Sequence, residues 1–540
     1  MTDPAGVAPR EPLPAGEGAA LAAGERPVRH EKLWLALIVL LALAIRLVAA
    51  WMHGVHVDRD GPSFVYPAMS LLRGDLADWF YLQTKPPVFG AIVAVPMALG
   101  MEGLAAVRLL SILFGVAMLH PAWLFFRRFG GRRTALLALL VLAMMRLPVK
   151  TSGRTLSDTF YATLTLYMFY LAVVKGLIDR RWWGLAGGGL LAGVAFLTRS
   201  EAIIFLPVVP LLALYGALRR RIDWKLAAVS LSFPLLAAAV MAPQVALLSR
   251  AEGRFTLRRN VGQFMAYSAG ATDQITSEQG EQLNAAEALV QNFGALALNA
   301  VGHFWKYVYD VIPRGMAYVG AVFVLVGLWS ARRKVFAWTP LGLSLLTFLW
   351  ALGVLSIFDP HGRLLLNTMP FLAWPLVVGI AAIAGWIVKW NPAGIAQPDK
   401  AGPWIAAALI ATVTVPTVPT VLGRDRHEGY DALHASRIIR RHAGEDARPV
   451  VACRLGVIAL RAGADLVGVS HEWDMDVRRL GEYLRRHNAD YFCMSAANLR
   501  TMLPGFEPGA PPAYLELIGT APSHPGAQEP RTQYVYRVRH

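Results

Sequence analysis

Two carboxylates stand two residues apart, directly after the first apolar run of the chain. Asp58 and Asp60 begin the polar segment 58–87, which reads DRDGPSFVYPAMSLLRGDLADWFYLQTKPP. A carboxylate within hydrogen-bond reach of a hydroxyl group can act as a general base and remove its proton. The segment therefore predicts acid–base chemistry at a membrane surface. A solvated loop is the alternative, with Asp60 serving only as the cap of a short helix.

Further charged residues stand at the ends of apolar runs. They are Arg154, Asp158, Arg199, Glu201, His361 and Arg363. Ionisable groups at membrane depth are costly and pair with one another, so salt bridges account for the first four as well as a second site does. Arg46 lies toward the far end of the first apolar run, where we expect its long side chain to snorkel to the lipid headgroups.

The elements that must position these residues are membrane helices. The chain has 540 residues, of which 55% are hydrophobic and 16% charged, and its mean hydropathy is +0.43. This composition predicts a polytopic α-helical membrane protein. The net charge of +16 comes largely from short basic segments between apolar runs, such as 127–133, 175–181 and 219–225. That pattern indicates cytoplasmic loops rather than a nucleic-acid partner.

The apolar runs predict about eleven crossings, together with juxtamembrane helices. The runs lie at 33–52, 87–99, 104–126, 134–149, 157–174, 183–198, 201–217, 226–249, 317–331, 338–357, 364–388 and 403–421. Because the run 87–99 is short and bounded by prolines, we expect it to dip into the membrane without crossing. Alternation then makes 1–29 a disordered cytoplasmic tail and 30–423 the membrane domain, with outer loops at 53–86 and 250–315. An amphipathic helix near 285–311 should rest on the outer leaflet.

The remaining residues, 424–540, have the composition of a soluble domain. Short apolar stretches at 449–454, 465–469, 490–495, 513–519 and 533–539 alternate with helical patterns at 429–442, 455–462 and 476–487. This order predicts a small α/β domain with a largely parallel sheet, on the outer side of the membrane. Cys453 and Cys493 fall in predicted strands, where two free buried thiols are the expected state.

The motifs in this order resemble those of GT-C glycosyltransferases that use polyprenyl-phosphate sugars, specifically the bacterial relatives of the protein O-mannosyltransferases and of the lipid A aminoarabinose transferase. The motifs are Asp60-Gly-x-x-Phe64 with its following helix, Thr84-Lys85-Pro86-Pro87, Arg154-Thr-Leu-Ser-Asp158, Arg199-Ser-Glu201 and His361-Gly-Arg363. The resemblance covers about residues 33–390. Two positions depart from the commonest family pattern: Gly61 stands where Glu usually follows the acid, and Gly362 separates His361 from Arg363.

The resemblance implies transfer of a sugar from a polyprenyl-phosphate donor to a lipid, glycan or protein acceptor, at the periplasmic face of a bacterial inner membrane. Carried over by position, Asp60 is the catalytic acid, with Asp58 left open as the alternative. Lys85 and Arg363, with His361 beside it, would bind the donor phosphate, because ammonium and guanidinium groups suit phosphate oxygens. We predict no cofactor, and dependence on a divalent metal ion stays open.

A transporter or a flippase of lipid-linked glycans is the alternative function, since many spans with charged residues could also form a translocation path. Transporters often consist of two repeated halves with interrupted helices in matching positions. The sequence shows no such repeat, and its charged motifs gather on one predicted face. These features favour the enzyme. An inactive structural subunit is a third possibility.

Overall fold

The computed structural model describes residues 29–54, 57–58, 60–82, 86–257, 285–335, 337–357, 362–390, 398–422, 430–444, 447–469, 476–503, 506–522 and 532–540. Within these ranges the first 420 residues are helical and the last hundred form a mixed helix–sheet domain. The predicted fold class, a helical membrane protein with a small C-terminal α/β domain, is confirmed.

The first half of the chain contains twelve α-helices among the described residues. They are α1 (Glu31–Met52), α2 (Pro62–Leu72), α3 (Pro87–Ala98), α4 (Gly103–Ala117), α5 (Leu119–Phe129), α6 (Arg132–Met144), α7 (Arg146–Ser152), α8 (Asp158–Phe169), α9 (Trp182–Phe196), α10 (Val208–Leu218), α11 (Trp224–Val229) and α12 (Ser232–Glu252). Wider π-type turns at Asp78–Leu82 and Tyr170–Ile178 and a 3₁₀ turn at Ser200–Phe205 join or extend them.

The described part of the second half adds further helices. They are α13 (Ala285–Lys306), α14 (Ile312–Gly315), α15 (Val319–Ser330), α16 (Arg332–Val335), α17 (Pro340–Leu355), α18 (Pro370–Trp390), α19 (Pro398–Thr414), α20 (Thr417–Leu422), α21 (Tyr430–Ala443), α22 (Gly456–Ala462), α23 (Val477–Arg486) and α24 (Ala496–Met502). A π-type turn at Tyr307–Val311 continues α13, and a 3₁₀ turn at Gly362–Leu365 precedes α18.

Among the described residues, seven helices are long and apolar enough to cross a membrane. They are Glu31–Met52, Gly103–Phe129, Asp158–Ile178, Ser200–Leu218, Trp224–Glu252, Pro370–Trp390 and Ala401–Pro419. Two bent pairs, α6 with α7 and Phe293–Gly315 with α15, raise this number to nine if each is one span. The apolar helices α3, α9 and α17 are shorter, so the count of eleven crossings stays a prediction.

Arg46 does not snorkel, which corrects the expectation from the sequence. Its side chain is fully buried and donates hydrogen bonds to the carbonyl oxygen of Ala143 at 3.0 Å and to Oγ of Ser152 at 3.2 Å. α6 ends at Met144 and α7 begins at Arg146 with a bend of 51°, so carbonyl groups near this break lose their helical partners. Arg46 stays buried because it donates a hydrogen bond to one of these carbonyl groups inside the bundle.

A second side chain donates a hydrogen bond at the same break between α6 and α7. The hydroxyl group of Thr417, at the start of α20, donates to the carbonyl oxygen of Met144 at 2.9 Å. No water is available at membrane depth to hydrogen-bond an exposed backbone carbonyl, so side chains from other helices must do so. The bend between α6 and α7 is therefore fixed by α1 on one side and α20 on the other.

The C-terminal domain contains a five-stranded sheet with strand order β2-β1-β3-β5-β4. The strands are β1 (Val450–Cys453), β2 (Asp465–Gly468), β3 (Tyr491–Ser495), β4 (Leu515–Pro522) and β5 (Thr532–Val538). β1 pairs with β2 and β3 in parallel, but β5 pairs antiparallel with both β3 and β4. The prediction of a largely parallel sheet is therefore wrong for its second half, because no helix lies between β4 and β5 among the described residues to carry the chain back for parallel pairing.

Cys453 on β1 and Cys493 on β3 are partners in the parallel register, and both are buried free thiols, as expected from the sequence. The hydrophobic core beneath them continues into the membrane domain. One cluster of buried side chains joins Phe64 and Phe89, from α2 and α3, with Val451 of the sheet and Ile439 of α21. The domain thus packs directly on the helices that follow the segment with the two aspartates.

The close contact between α15 and α18 requires a glycine on each helix. A Cβ atom placed on Gly379 would overlap the carbonyl oxygen of Phe323, and one placed on Gly327 would overlap that of Pro375. Small residues of this kind let two helix backbones approach closely within a membrane.

Replacing Gly379 by alanine should therefore lower the melting temperature of the detergent-solubilised protein, since overpacking of this kind costs about 1–3 kcal/mol. The matched control is Gly385→Ala on the same helix, where a Cβ would have no neighbour within 4 Å. Because alanine favours a helix over glycine by about 1 kcal/mol, that variant should melt at the same temperature or higher. Equal melting temperatures for the two variants would contradict the proposed contact.

Candidate active site

Asp58 is held in place by the segment that follows α7. Its side chain is 5% exposed and forms an ion pair with the guanidinium group of Arg154. Its second carboxylate oxygen accepts a hydrogen bond from the backbone amide of Thr155 at 3.0 Å, and its own amide donates to Oγ1 of Thr155 at 3.0 Å. We call this set the Asp58 clamp. It fixes the chain after α1 against the C-terminal end of α7.

Asp60 lies in a more open position and meets a residue from the far end of the membrane domain. Nη1 of Arg363 donates to Oδ2 of Asp60 at 2.8 Å, and the two side chains are 34% and 21% exposed. The N-cap of α2 is Gly61, one residue later, so Asp60 does not occupy the capping position considered from the sequence. The structure therefore brings together two of the residues that the motifs single out, across 303 positions of sequence.

A second ion-pair cluster lies at the start of α8 and the end of α9. Nη1 of Arg199 donates to Asp158 at 2.8 Å and Nη2 donates to Glu201 at 2.9 Å. The guanidinium carbon also lies 5.7 Å from the ring centroid of Tyr161. Asp158 is 2% exposed, and its Oδ2 has no hydrogen-bond partner among the described residues. The predicted intramembrane salt bridge between these residues is present.

The two clusters are electrostatically connected through Arg363. Burial lowers the pKa of the Arg363 guanidinium, but the carboxylates of Asp158 and Asp60 outweigh this effect and raise the pKa above its ordinary value. Arg199 opposes the increase, so the charges of both clusters act on Arg363. Arg363 is thus a permanent cation between two carboxylates.

Lys85 and His361 lie outside the described residues, and their predicted contact with a phosphate stays a prediction. The chain immediately after Lys85 is described, and it is tied to the same region. The amide of Val88 donates to the carbonyl oxygen of Leu197 at 3.0 Å, two residues before Arg199. The start of α3 therefore lies beside the Arg199 cluster.

Thr155 and Tyr161 are the site residues that the sequence analysis did not identify. Thr155 follows Arg154 directly, but a single threonine carries no pattern that would distinguish it. Gly61 now has a physical explanation: a Cβ atom there would lie 2.8 Å from Oγ1 of Thr155 and 2.9 Å from a methyl group of Val57. A glutamate at this position would displace the Asp58 clamp, so the departure from the family pattern follows from this contact.

No group of three or more His, Cys, Asp or Glu side chains within the described ranges could hold a metal ion. Asp58, Asp158 and Asp60 are each paired with an arginine. The described part of the site can therefore position a carboxylate and present arginine cations to an anionic substrate.

The Asp58 clamp makes a prediction about stability. Arg154→Met should lower the melting temperature strongly, because loss of one partner from a buried ion pair costs about 3–5 kcal/mol. The double variant Arg154→Met/Asp58→Asn should recover part of the loss, since no buried charge is then left unpaired. Arg448→Met is the control: Arg448 and Asp465 form an exposed pair, with side chains 52% and 53% exposed, and such pairs contribute about 1 kcal/mol or less. Equal losses for Arg154→Met and Arg448→Met would contradict the clamp.

Comparison with known proteins gives a match to one family model and several solved structures of similar fold. Residues 84–246 match the family model of dolichyl-phosphate-mannose-protein mannosyltransferases. No curated protein matches the sequence significantly.

Among solved structures, ArnT from Cupriavidus metallidurans in the apo state superposes with a TM-score of 0.59 at 16% identity, over 93% of this chain and 97% of ArnT. The same protein bound to undecaprenyl phosphate gives a TM-score of 0.57 at 15% identity, over 93% and 98%. The apo oligosaccharyltransferase from Archaeoglobus fulgidus gives 0.57 at 12% identity, over 88% of this chain and 71% of that one. The predicted resemblance is confirmed: the chain has the fold of the GT-C glycosyltransferases, and residues 84–246 match the mannosyltransferase family model.

Proposed function

We propose that the protein transfers a sugar from a polyprenyl-phosphate donor to a hydroxyl group of an acceptor, on the periplasmic face of a bacterial inner membrane. The match to the mannosyltransferase family model and the fold shared with ArnT, solved with undecaprenyl phosphate bound, support a lipid-linked donor. The acceptor is a lipid, a glycan or a protein. We propose no cofactor, and dependence on a divalent metal ion stays open.

The contact between Asp60 and Arg363 is the observation that carries this proposal. It places a carboxylate and a guanidinium group 2.8 Å apart at a partly exposed position, next to a second ion-pair cluster. A transferase of this class needs a base for the acceptor and a cation for the departing phosphate. One contact supplies both groups.

Asp60 is the better candidate for the general base. Both aspartates pair with an arginine, but Asp58 is 5% exposed and its second oxygen also accepts a hydrogen bond from the Thr155 amide, so an acceptor hydroxyl has little access to it. Asp60 is 21% exposed, so an acceptor can approach it. Asp58 then has a positioning role, because the clamp fixes the backbone two residues before the base.

In the reaction, the acceptor oxygen attacks the anomeric carbon while Asp60 takes the hydroxyl proton. The bond between that carbon and the phosphate oxygen breaks, and the polyprenyl phosphate leaves with the electron pair. Arg363 stabilises the developing charge, because a guanidinium has five N–H donors and its hydrogen bond to Asp60 runs through Nη1. Lys85 and His361 are proposed to complete the phosphate site. A single displacement inverts the configuration at the anomeric carbon.

The remaining charged residues are proposed to hold this geometry. Arg199 bridges Asp158 and Glu201 and so joins the start of α8 to the segment after α9. The position of this cluster beside Arg363 supports a role in keeping the arginine oriented toward Asp60.

The assignment of the base is tested with two isosteric variants of the purified protein. Asp60→Asn should keep the melting temperature of the wild type and lose sugar transfer by about 10²–10⁴-fold, the usual contribution of a general base. Asp58→Asn should lower both the melting temperature and the rate, because it also weakens the clamp. Wild-type transfer by Asp60→Asn together with selective loss in Asp58→Asn would move the base to Asp58. Wild-type transfer by both variants would contradict a carboxylate base.

The proposed orientation is tested by cysteine labelling. The two native thiols are buried, and burial raises the pKa of the Cys453 thiol to about 12, so neither should react with a maleimide. Glu482→Cys, on the exposed face of α23, should react with a membrane-impermeant maleimide in cells with a permeabilised outer membrane. Arg133→Cys, exposed in the first turn of α6, should react only after the inner membrane is opened. The reverse pattern would contradict the proposed orientation.

A further inference from the structure

A basic pocket of about 580 Å³ lies between the turn that follows α5 and the turn that follows α15. Its walls are formed by Gly130, Gly131, Thr134, Ser330, Ala331, Arg332, Arg333, Lys334, Trp374 and Val378. Three of these ten residues are cationic and none is acidic. We call this site the basic pocket. Both turns belong to segments that the charge pattern predicts to be cytoplasmic.

The basic pocket is remote from the candidate active site. Gly131 precedes α6, and Arg154 follows α7 by two residues. The 13 residues of α6 and 7 residues of α7, with a bend of 51° between them, separate the two ends by about 25–30 Å at 1.5 Å of rise per residue. A ligand in this pocket would not contact Asp60 or Arg363.

A buried indole without a partner forms one wall of the pocket. Trp374 is 4% exposed, and its Nε1 makes no hydrogen bond within the described part of the chain. A Cβ atom at Gly130 would lie 2.8 Å from Cζ2 and 3.0 Å from Nε1 of this indole, so only a glycine fits against this edge of the ring in the wall of the pocket. A buried N–H group without an acceptor is costly, and a ligand oxygen in the pocket would remove that cost.

The first turn of α6 contributes further donors. α6 begins at Arg132, its N-cap is Gly131, and no side chain accepts a hydrogen bond there. The backbone amides of a first helical turn have no partner within the helix, and the helix dipole places partial positive charge at this end. Together with the Trp374 indole, these amides form a set of neutral donors that suits an anion.

The cations complete an anion-binding arrangement. The ammonium group of Lys334 lies 5.9 Å from the ring centroid of Trp374, and the guanidinium of Arg332 lies 5.0 Å from that of Trp329. Trp329 is 71% exposed, and Leu325, one turn earlier on α15, is 68% exposed. An apolar helix face beside a basic pocket is the surroundings expected for a phospholipid, whose chains contact the helix while the headgroup enters the pocket.

We propose that the basic pocket binds a phosphate group, held by the Trp374 indole and the α6 amides and neutralised by Arg332, Arg333 and Lys334. Phosphate can come from the headgroup of an anionic phospholipid or from a soluble phosphate compound. The exposed apolar face of α15 favours the lipid. The site is separate from the sugar-transfer site and does not depend on the function proposed for it.

The test measures which lipids remain bound to the purified full-length protein, by native mass spectrometry after release from nanodiscs with equal amounts of phosphatidylglycerol and phosphatidylcholine. Wild type should retain phosphatidylglycerol preferentially. The triple variant Arg332→Gln/Arg333→Gln/Lys334→Gln should lose that preference. Arg219→Gln/Arg220→Gln/Arg221→Gln, which removes the same charge from another basic turn, should keep it. Equal loss in both triple variants would contradict a specific pocket, because charge alone would then explain the binding.

A single-donor variant makes the test independent of net charge. Trp374→Phe keeps the ring but removes the N–H group, and loss of a hydrogen bond to a charged group should weaken phosphatidylglycerol retention about tenfold. Unchanged retention would overturn the proposed geometry. Pyrophosphate added to protein in phosphatidylcholine nanodiscs separates the two sources. Saturable pyrophosphate binding that the pocket triple variant loses would support the phosphate site and assign it to a soluble ligand, whereas binding of neither pyrophosphate nor phosphatidylglycerol would overturn the proposal.

Discussion

The Asp58 clamp is the interaction on which the candidate active site depends. A carboxylate that is 5% exposed beside a membrane is tolerated only because Arg154 supplies the opposite charge and the Thr155 amide a hydrogen bond. The clamp fixes the chain two residues before Asp60, and so decides where that carboxylate can point. It also requires Gly61, since a side chain at that position would meet the Thr155 hydroxyl.

The clamp in turn depends on the break between α6 and α7. A straight helix would carry Arg154 in a different direction, and the 51° bend directs it to Asp58. The bend frees backbone carbonyl groups at membrane depth, and Arg46 and Thr417 donate hydrogen bonds to them. A buried arginine in the first span thus contributes to the site without touching it, through the carbonyl of Ala143.

The charged residues of the site come from distant parts of the chain, and Asp58, Asp60 and Asp158 each pair with an arginine. Arg363 meets Asp60 and lies near Asp158, which is held by Arg199. The C-terminal domain packs on α2 and α3, and these two helices share a hydrophobic core with the sheet. The basic pocket lies at the other end of α6, so this helix begins at a proposed anion site and leads toward the candidate active site.

Composition and periodicity determined the membrane class, most helix positions and the strands of the C-terminal domain, because these properties depend on local hydrophobicity and spacing. The resemblance to a known family singled out the charged motifs. Which charges meet was decided by tertiary structure. The motifs assigned Arg363 to a phosphate, and the fold places it against Asp60. The resemblance favoured Asp60 over Asp58 by position, and the structure separates the two physically, because Asp58 is buried against Arg154 and Thr155. Arg46 was expected at the headgroups because the sequence shows only that a charge lies within a span. It does not show that the break between α6 and α7 leaves a backbone carbonyl to which Arg46 can donate a hydrogen bond. The antiparallel half of the sheet and the buried Trp374 indole, whose N–H has no partner among the described residues, have the same origin, since strand direction and hydrogen-bond partners are set by contacts between segments that lie far apart in the chain.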